Sequence, residues 1–89
     1  MYVSFAKTFI KSEKRIPQKI REAFYERLTL FTSDKGHPLL RMHPLSGEWK
    51  GYYSINVTAD WRAIYYERDG SPTLWVEFVY IGTHSQLYE

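Results

Sequence analysis

Two runs of branched and aromatic residues, separated by a three-residue polar break, constrain this chain more than anything else in it. Val57 closes one run of alternating apolar residues, Thr58-Ala59-Asp60 is short and polar enough to turn, and Trp61 opens the next run, WRAIYY. This pattern predicts a β-hairpin. A second turn signal, Asp69-Gly70-Ser71-Pro72, joins that run to a third. The expected strands are Tyr52–Val57, Trp61–Arg68 and Thr73–Gly82. Connections this short force antiparallel pairing, because a parallel pair needs a long crossover. Along the first strand Tyr53, Ile55 and Val57 share one face and Tyr52, Ser54 and Asn56 the other, so one face can meet a core while the other stays partly wet. At the end of the third strand, IGTHSQLY (Ile81 to Tyr88) brings Thr83, His84, Ser85 and Gln86 to the rim of the sheet. A rim that carries His84 and Asp60 marks a candidate site.

The N-terminal half supplies the cover that an apolar sheet face needs. Tyr2 to Phe5 alternates weakly and reads as a short strand. In AKTFIKSEKR, Ala6 to Arg15, Phe9 and Ile10 continue an apolar face begun by Phe5, while Lys7, Lys11, Lys14 and Arg15 take the opposite one. Pro17 suits the first turn of a second helix. There Ile16, Ile20, Ala23, Phe24, Leu28 and Phe31 recur at steps of three and four up to about Ser33, and Asp34-Lys35-Gly36 stops the run. Two such helices have only the sheet to pack on, which predicts an α+β fold: an N-terminal strand and helical hairpin on a twisted antiparallel sheet. Between the halves, His37 to Gly51 contains Pro38, Pro44, Gly47 and Gly51, and reads as an irregular crossing segment.

With 89 residues the chain is expected to form a single domain. A domain of this size buries only about 60–65% of its unfolded surface, so the eight Tyr, five Phe and three Trp are needed to fill the core. The absence of cysteine excludes a disulfide framework and thiolate metal sites, and fits a reducing compartment. No apolar run approaches the ~20 residues that span a bilayer, and the first residues lack the apolar core of a signal peptide, so a cytoplasmic protein is expected. Charge is unevenly spread: residues 1–50 hold ten Lys/Arg against five Asp/Glu, or +5, and residues 51–89 two against five, or −3. The basic half suits an acidic partner, nucleic acid or protein, and solvated helix faces give the same count.

HPLSGEWKGYYSINVTADWRAIYY and IGTHSQLY resemble the RelE/ParE superfamily of bacterial toxins from toxin–antitoxin pairs, and within it the YafQ-like branch. The resemblance covers nearly the whole chain. It implies a RelE-like fold and a ribosome-dependent endoribonuclease, an mRNA interferase that cuts translated mRNA and is held inactive by an antitoxin. Carried onto this sequence, it implies a site of His43 in HPLSG, Asp60 and Trp61 in ADWR, His84 in GTHS, and an aromatic at Tyr88. Arg62 falls where RelE-like members hold a basic residue near the scissile phosphate. One position departs from the branch: Asn56 stands where a further histidine is expected, and an amide does not titrate.

Metal-independent RNA cleavage needs a base for the 2′-OH proton, an acid for the leaving 5′-oxygen, and positive donors for the charge on phosphate. Histidine suits both proton roles, since its ordinary pKa of about 6.5 lets both states exist at neutral pH. His84 is either such a group or a strand-end histidine capping a carbonyl, and the GTHSQLY match favours the first. His43 competes with a reading as solvated loop, and His37 is assigned to surface. Asp60 either orients a histidine or makes a turn-forming side-chain bond; both jobs can coexist. Trp61 and Tyr88 either stack on unpaired bases or serve the core, with core favoured for Trp61. Lys50 and Arg62 are phosphate donors, unless Glu67, Glu77 or Asp60 neutralises the arginine. The three histidines show no metal-ligand spacing, so no metal or other cofactor is expected. Two other functions stay open: a ParE-like gyrase poison, which has no use for His43 and His84, and a degenerate member that only binds its antitoxin, which Asn56 keeps in play.

Overall fold

The computed structural model describes residues 1–70 and 72–88, the side chain of Tyr88 excepted; of the second expected turn, Ser71 lies outside the described residues. The strands are β1 (Tyr2–Phe5), β2 (His43–Pro44), β3 (Tyr53–Asn56), β4 (Trp61–Arg68) and β5 (Trp75–Thr83), and the helices α1 (Lys7–Glu13), α2 (Gln18–Ser33) and α3 (His84–Tyr88). One mixed sheet runs β1-β5-β4-β3-β2. β3, β4 and β5 pair antiparallel, as their short connections require, while β1 joins β5 in parallel. Pro17 sits at the N-cap of α2 rather than within it, and Ile16 is buried just ahead of the helix.

The helical hairpin packs on one face of the sheet, as the spacing predicts. Phe24 and Phe31 of α2 are fully buried against Ala63, Tyr65, Val76, Phe78 and Ile81, with Ile20, Ala23 and Leu28 packed around them. Ring centroids of Phe24 lie 5.1 Å from Phe9 and 5.3 Å from Phe78, and Phe31 lies 5.0 Å from Tyr65. Such aromatic pairs add about 0.5–1.5 kcal/mol each beyond simple burial.

Phe78 and Ile81 both enter this core although their positions differ by three, an odd offset that strict alternation forbids. A β-bulge resolves the conflict. Tyr65 pairs with Phe78 and Ile64 with Tyr80, so Val79 is the extra residue that resets the alternation. Tyr80 is thereby turned to the face opposite the helices, beside Ile64.

Beyond Phe78, β1 has ended and the edge of β5 would be bare. α1 closes it. The Ala6 N–H donates to the Phe78 carbonyl at 2.9 Å, and Thr8 Oγ1 donates to the Val79 carbonyl at 2.6 Å. Ser12 Oγ donates to the Phe9 carbonyl at 2.9 Å and accepts the Ile81 N–H at 3.2 Å. Side-chain hydroxyls thus replace a neighbouring strand along an edge that would otherwise invite foreign pairing.

The second sheet face is less wet than its residue types suggest. Ser54 and Ile64 are fully buried and Leu87 nearly so, because the His37 to Gly51 segment contributes β2 and Trp49, and α3 folds back across the sheet. That segment is structured by two 3₁₀ turns, Pro38–Leu40 and Gly47–Trp49. Ser12→Ala should destabilise the fold by about 1–3 kcal/mol in chemical denaturation, because it leaves the buried Ile81 N–H without its acceptor. Amide exchange at Ile81 should accelerate in the same variant.

Candidate active site

Cross-strand partners share a face, so the register fixes which side chains meet on the side away from the helices. His43, Ser54, Ile64 and Tyr80 form one row across β2 to β5, and Asn56, Arg62 and Gly82 form the next. α3 turns back over the second row at Gly82. A Cβ there would stand 3.0 Å from Gln86 Oε1 and 3.1 Å from Tyr80 Cε1, so glycine permits the close return.

Three ties hold α3 in place. The His84 N–H donates to the Asp60 carbonyl at 2.9 Å, joining the helix to the β3–β4 turn. Gln86 Oε1 accepts the Thr83 N–H at 2.9 Å. Trp49 Nε1 donates to the Leu87 carbonyl at 3.1 Å, which fastens the other end to the crossing segment. With the helix so held, His43, Pro44, Leu45, Ser46 and His84 line one open cleft of about 290 Å³. Two histidines far apart in sequence share it.

His43 Nδ1 lies 2.9 Å from the Arg41 carbonyl. A carbonyl only accepts, so Nδ1 carries the proton and the neutral ring keeps its lone pair on Nε2. That is the form a general base needs. Arg41 holds this carbonyl from a left-handed conformation, φ 45°. His37 works differently: its Nδ1 accepts the Leu39 N–H at 3.1 Å and caps the Pro38–Leu40 turn.

Arg62 Nη1 donates to the carbonyls of Thr58, Ala59 and Trp61 at 3.1, 3.0 and 3.2 Å. Among the described residues its Nε and Nη2 have no partner; of the candidate counter-ions, Glu67 pairs with Lys35 and Glu77 with Arg68 at 2.9 Å, while Asp60 makes no ion pair with it. The β3–β4 turn therefore orients a guanidinium without neutralising it. Lys50 is exposed at the end of the Gly47–Trp49 turn and makes no ion pair among the described residues. Asn56 is half-buried opposite Arg62.

In the β3–β4 turn, Thr58 Oγ1 accepts the Trp61 N–H at 3.3 Å, while the exposed Asp60 carboxylate makes no bond among the described residues. The turn-forming job belongs to Thr58, and Asp60 contributes its backbone carbonyl to α3. Trp61 is not brought to the cleft: it lies on the helix side of the sheet, packed against the core. Tyr88 closes α3, and its side chain lies outside the described residues. Among the described residues no three His, Asp or Glu side chains gather as a metal site would require.

Sequence reasoning did not pick out the aromatic group beside the cleft. Trp49 and Tyr52 meet edge to face at 5.4 Å, Tyr52 and Tyr66 at 5.6 Å, and Tyr80 lies nearby. Trp49 was masked by its irregular segment and Tyr80 by the bulge. The alternation of Tyr52 with Tyr53 was the one legible signal.

A mixed sheet with this strand order, covered on one face by a helical hairpin, is the fold of the RelE/ParE superfamily of type II toxins. The YoeB/ParE toxin from Agrobacterium tumefaciens matches with a TM-score of 0.73 at 18% identity, over 94% of this chain and 99% of that one, a likeness of fold. YafQ from E. coli strain BL21(DE3) is 25% identical with a TM-score of 0.75, over 98% of this chain and 97% of that one. YafQ in the E. coli DinJ–YafQ toxin–antitoxin complex gives the same identity and TM-score, over 98% and 96%. No curated protein sequence matches the chain. The family described as "Bacterial toxin of type II toxin-antitoxin system, YafQ" matches residues 2–89, and the chain belongs to it.

Asp60→Ala keeps the backbone carbonyl that anchors His84, so its folding free energy should stay within about 0.5 kcal/mol of wild type in urea denaturation. A loss well above that would show that the carboxylate shapes the turn.

Proposed function

We propose that this protein is a ribosome-dependent mRNA endoribonuclease that acts by metal-independent acid–base chemistry. The observation that carries the reading is the shared cleft of His43 and His84. His43 Nε2 takes the 2′-OH proton, the 2′-oxygen attacks phosphorus, the bond to the 5′-oxygen breaks, and His84 in its protonated form supplies the proton to that leaving oxygen. The Arg62 guanidinium and the Lys50 ammonium stabilise the charge that grows on the phosphate oxygens. Asp60, in the turn before Arg62, helps to orient His84 through its backbone carbonyl, and Tyr88 stacks on a base. Asn56 hydrogen-bonds ribose or phosphate and moves no proton. Trp61 supports the turn from the core side.

Such a protein works in the cytoplasm, where translating ribosomes are, and needs restraint by an antitoxin. The E. coli relative in complex with DinJ supports a protein antitoxin as partner. Lys7, Lys11, Lys14, Arg15 and Lys19 are all exposed along α1, its connection to α2 and the start of α2, and offer a basic face to ribosomal RNA. Replacing Lys7, Lys11 and Lys14 by Glu should weaken ribosome binding and flatten its dependence on salt; unchanged affinity would remove α1 from the interface.

Inducing the protein without its antitoxin and mapping mRNA 5′ ends should reveal new cuts within translated reading frames. His84→Ala and His43→Ala should each slow single-turnover cleavage by about 10²–10⁴-fold while remaining folded. Asn56→Ala should cost far less, since it removes a hydrogen bond worth about 0.5–1.5 kcal/mol. Equal damage from Asn56→Ala and His84→Ala would overturn these roles, and DNA breaks without mRNA cuts would overturn the reaction.

A further inference from the structure

Next to the histidine cleft lies a second, of about 450 Å³, lined by Glu48, Trp49, Tyr52, Tyr80, Gln86 and Leu87. The two are joined by α3, which carries His84 at the first and Gln86 and Leu87 at the second. We propose that this second cleft is a guanine-binding subsite, which holds an unpaired base close to the cleaved bond; the proposal rests on the ribonuclease reading above.

Its walls have the chemistry of a base pocket. The Trp49 indole is fixed by its bond to the Leu87 carbonyl at 3.1 Å and by its edge-to-face contact with Tyr52 at 5.4 Å. Tyr80, by contrast, makes no ring contact and no hydrogen bond through its hydroxyl among the described residues, and it is 36% exposed. A partly exposed aromatic ring on a sheet surface, lining one cleft with a rigid indole, is a stacking platform for a nucleobase. A neighbouring cleft, which Tyr80 also borders, is lined by Lys11 and Arg15, so a nucleotide stacked there has cations within reach for its phosphate.

The polar groups select the base. Glu48 presents a carboxylate, which accepts two N–H bonds side by side. Guanine offers two adjacent donors, N1–H and the 2-amino group. Adenine and cytosine set an amino group beside a ring acceptor, and uracil sets its single N–H between two carbonyls. Gln86 Oε1 is engaged by the Thr83 N–H, which leaves the Nε2 hydrogens to donate. Glu48 and Gln86 line the same cleft, and a carboxylate with a donor is the set that guanine N1–H, its 2-amino group and O6 call for. The same pair repels the acceptor edges of the other bases.

The test is a titration of the isotope-labelled full chain with GMP, AMP, CMP and UMP, read at the Trp49 indole N–H and the Gln86 side-chain amide. GMP should shift both signals and bind about tenfold more tightly than the other three. Tyr80→Ala should weaken GMP by about 5- to 100-fold, while Tyr80→Phe, which keeps the ring, should bind as wild type does. Glu48→Gln should bring the four nucleotides to similar affinity. Equal binding of all four by wild type, shifts that avoid both signals, or a guanine preference that survives Glu48→Gln would each overturn the subsite. The outcome is separable from that of the cleavage reading: mRNA cutting with no GMP preference removes the subsite alone, and GMP binding with no mRNA cutting removes the reaction alone.

Discussion

The pairing of β4 with β5, and the extra residue it accommodates at Val79, is the constraint on which the rest of the structure depends. A strand has two faces, and one inserted residue exchanges them. Before the bulge, Val76 and Phe78 point at the helices; after it, Ile81 does so, and Tyr80 is handed to the opposite face. Without the bulge, either Ile81 leaves the core or Phe78 does. The same local irregularity therefore completes the hydrophobic core and furnishes the candidate site with its exposed ring.

The site is built almost entirely from backbone acceptors that hold side chains in orientation. Arg62 is held by three carbonyls of the β3–β4 turn, His43 by the carbonyl of Arg41, and α3 by the carbonyl of Asp60. A carbonyl orients a cationic or imidazole group without cancelling its charge as a carboxylate does. Glu67 and Glu77 are paired with Lys35 and Arg68, and the Asp60 carboxylate forms no ion pair with Arg62 among the described residues. Positive charge thus remains available on a face suited to a polyanion.

α1 links these two levels. Its inner side, through Thr8 and Ser12, closes the edge of β5 where β1 stops, and its outer side carries the lysines. One short helix is at once part of the sheet's protection and the border of the surface next to Tyr80.

By itself the sequence determined the elements and their layers, because periodicity follows from local geometry: steps of three and four from Ile16 to Phe31 define a helix face, and alternation with short turns defines an antiparallel meander. The motifs around His43, Asp60 and His84 also made the family legible. Tertiary structure decided what local pattern does not encode. The parallel placement of β1 needs the whole chain as its crossover, and the bulge at Val79 depends on what Phe78 and Ile81 must bury. The burial of Ser54, the carbonyl bonds that orient His43 and Arg62, and the gathering of Trp49, Tyr52 and Tyr80 arise from segments far apart in sequence. Such contacts form only once the long crossing segment and α3 have closed over the second sheet face, so no spacing along the chain announces them.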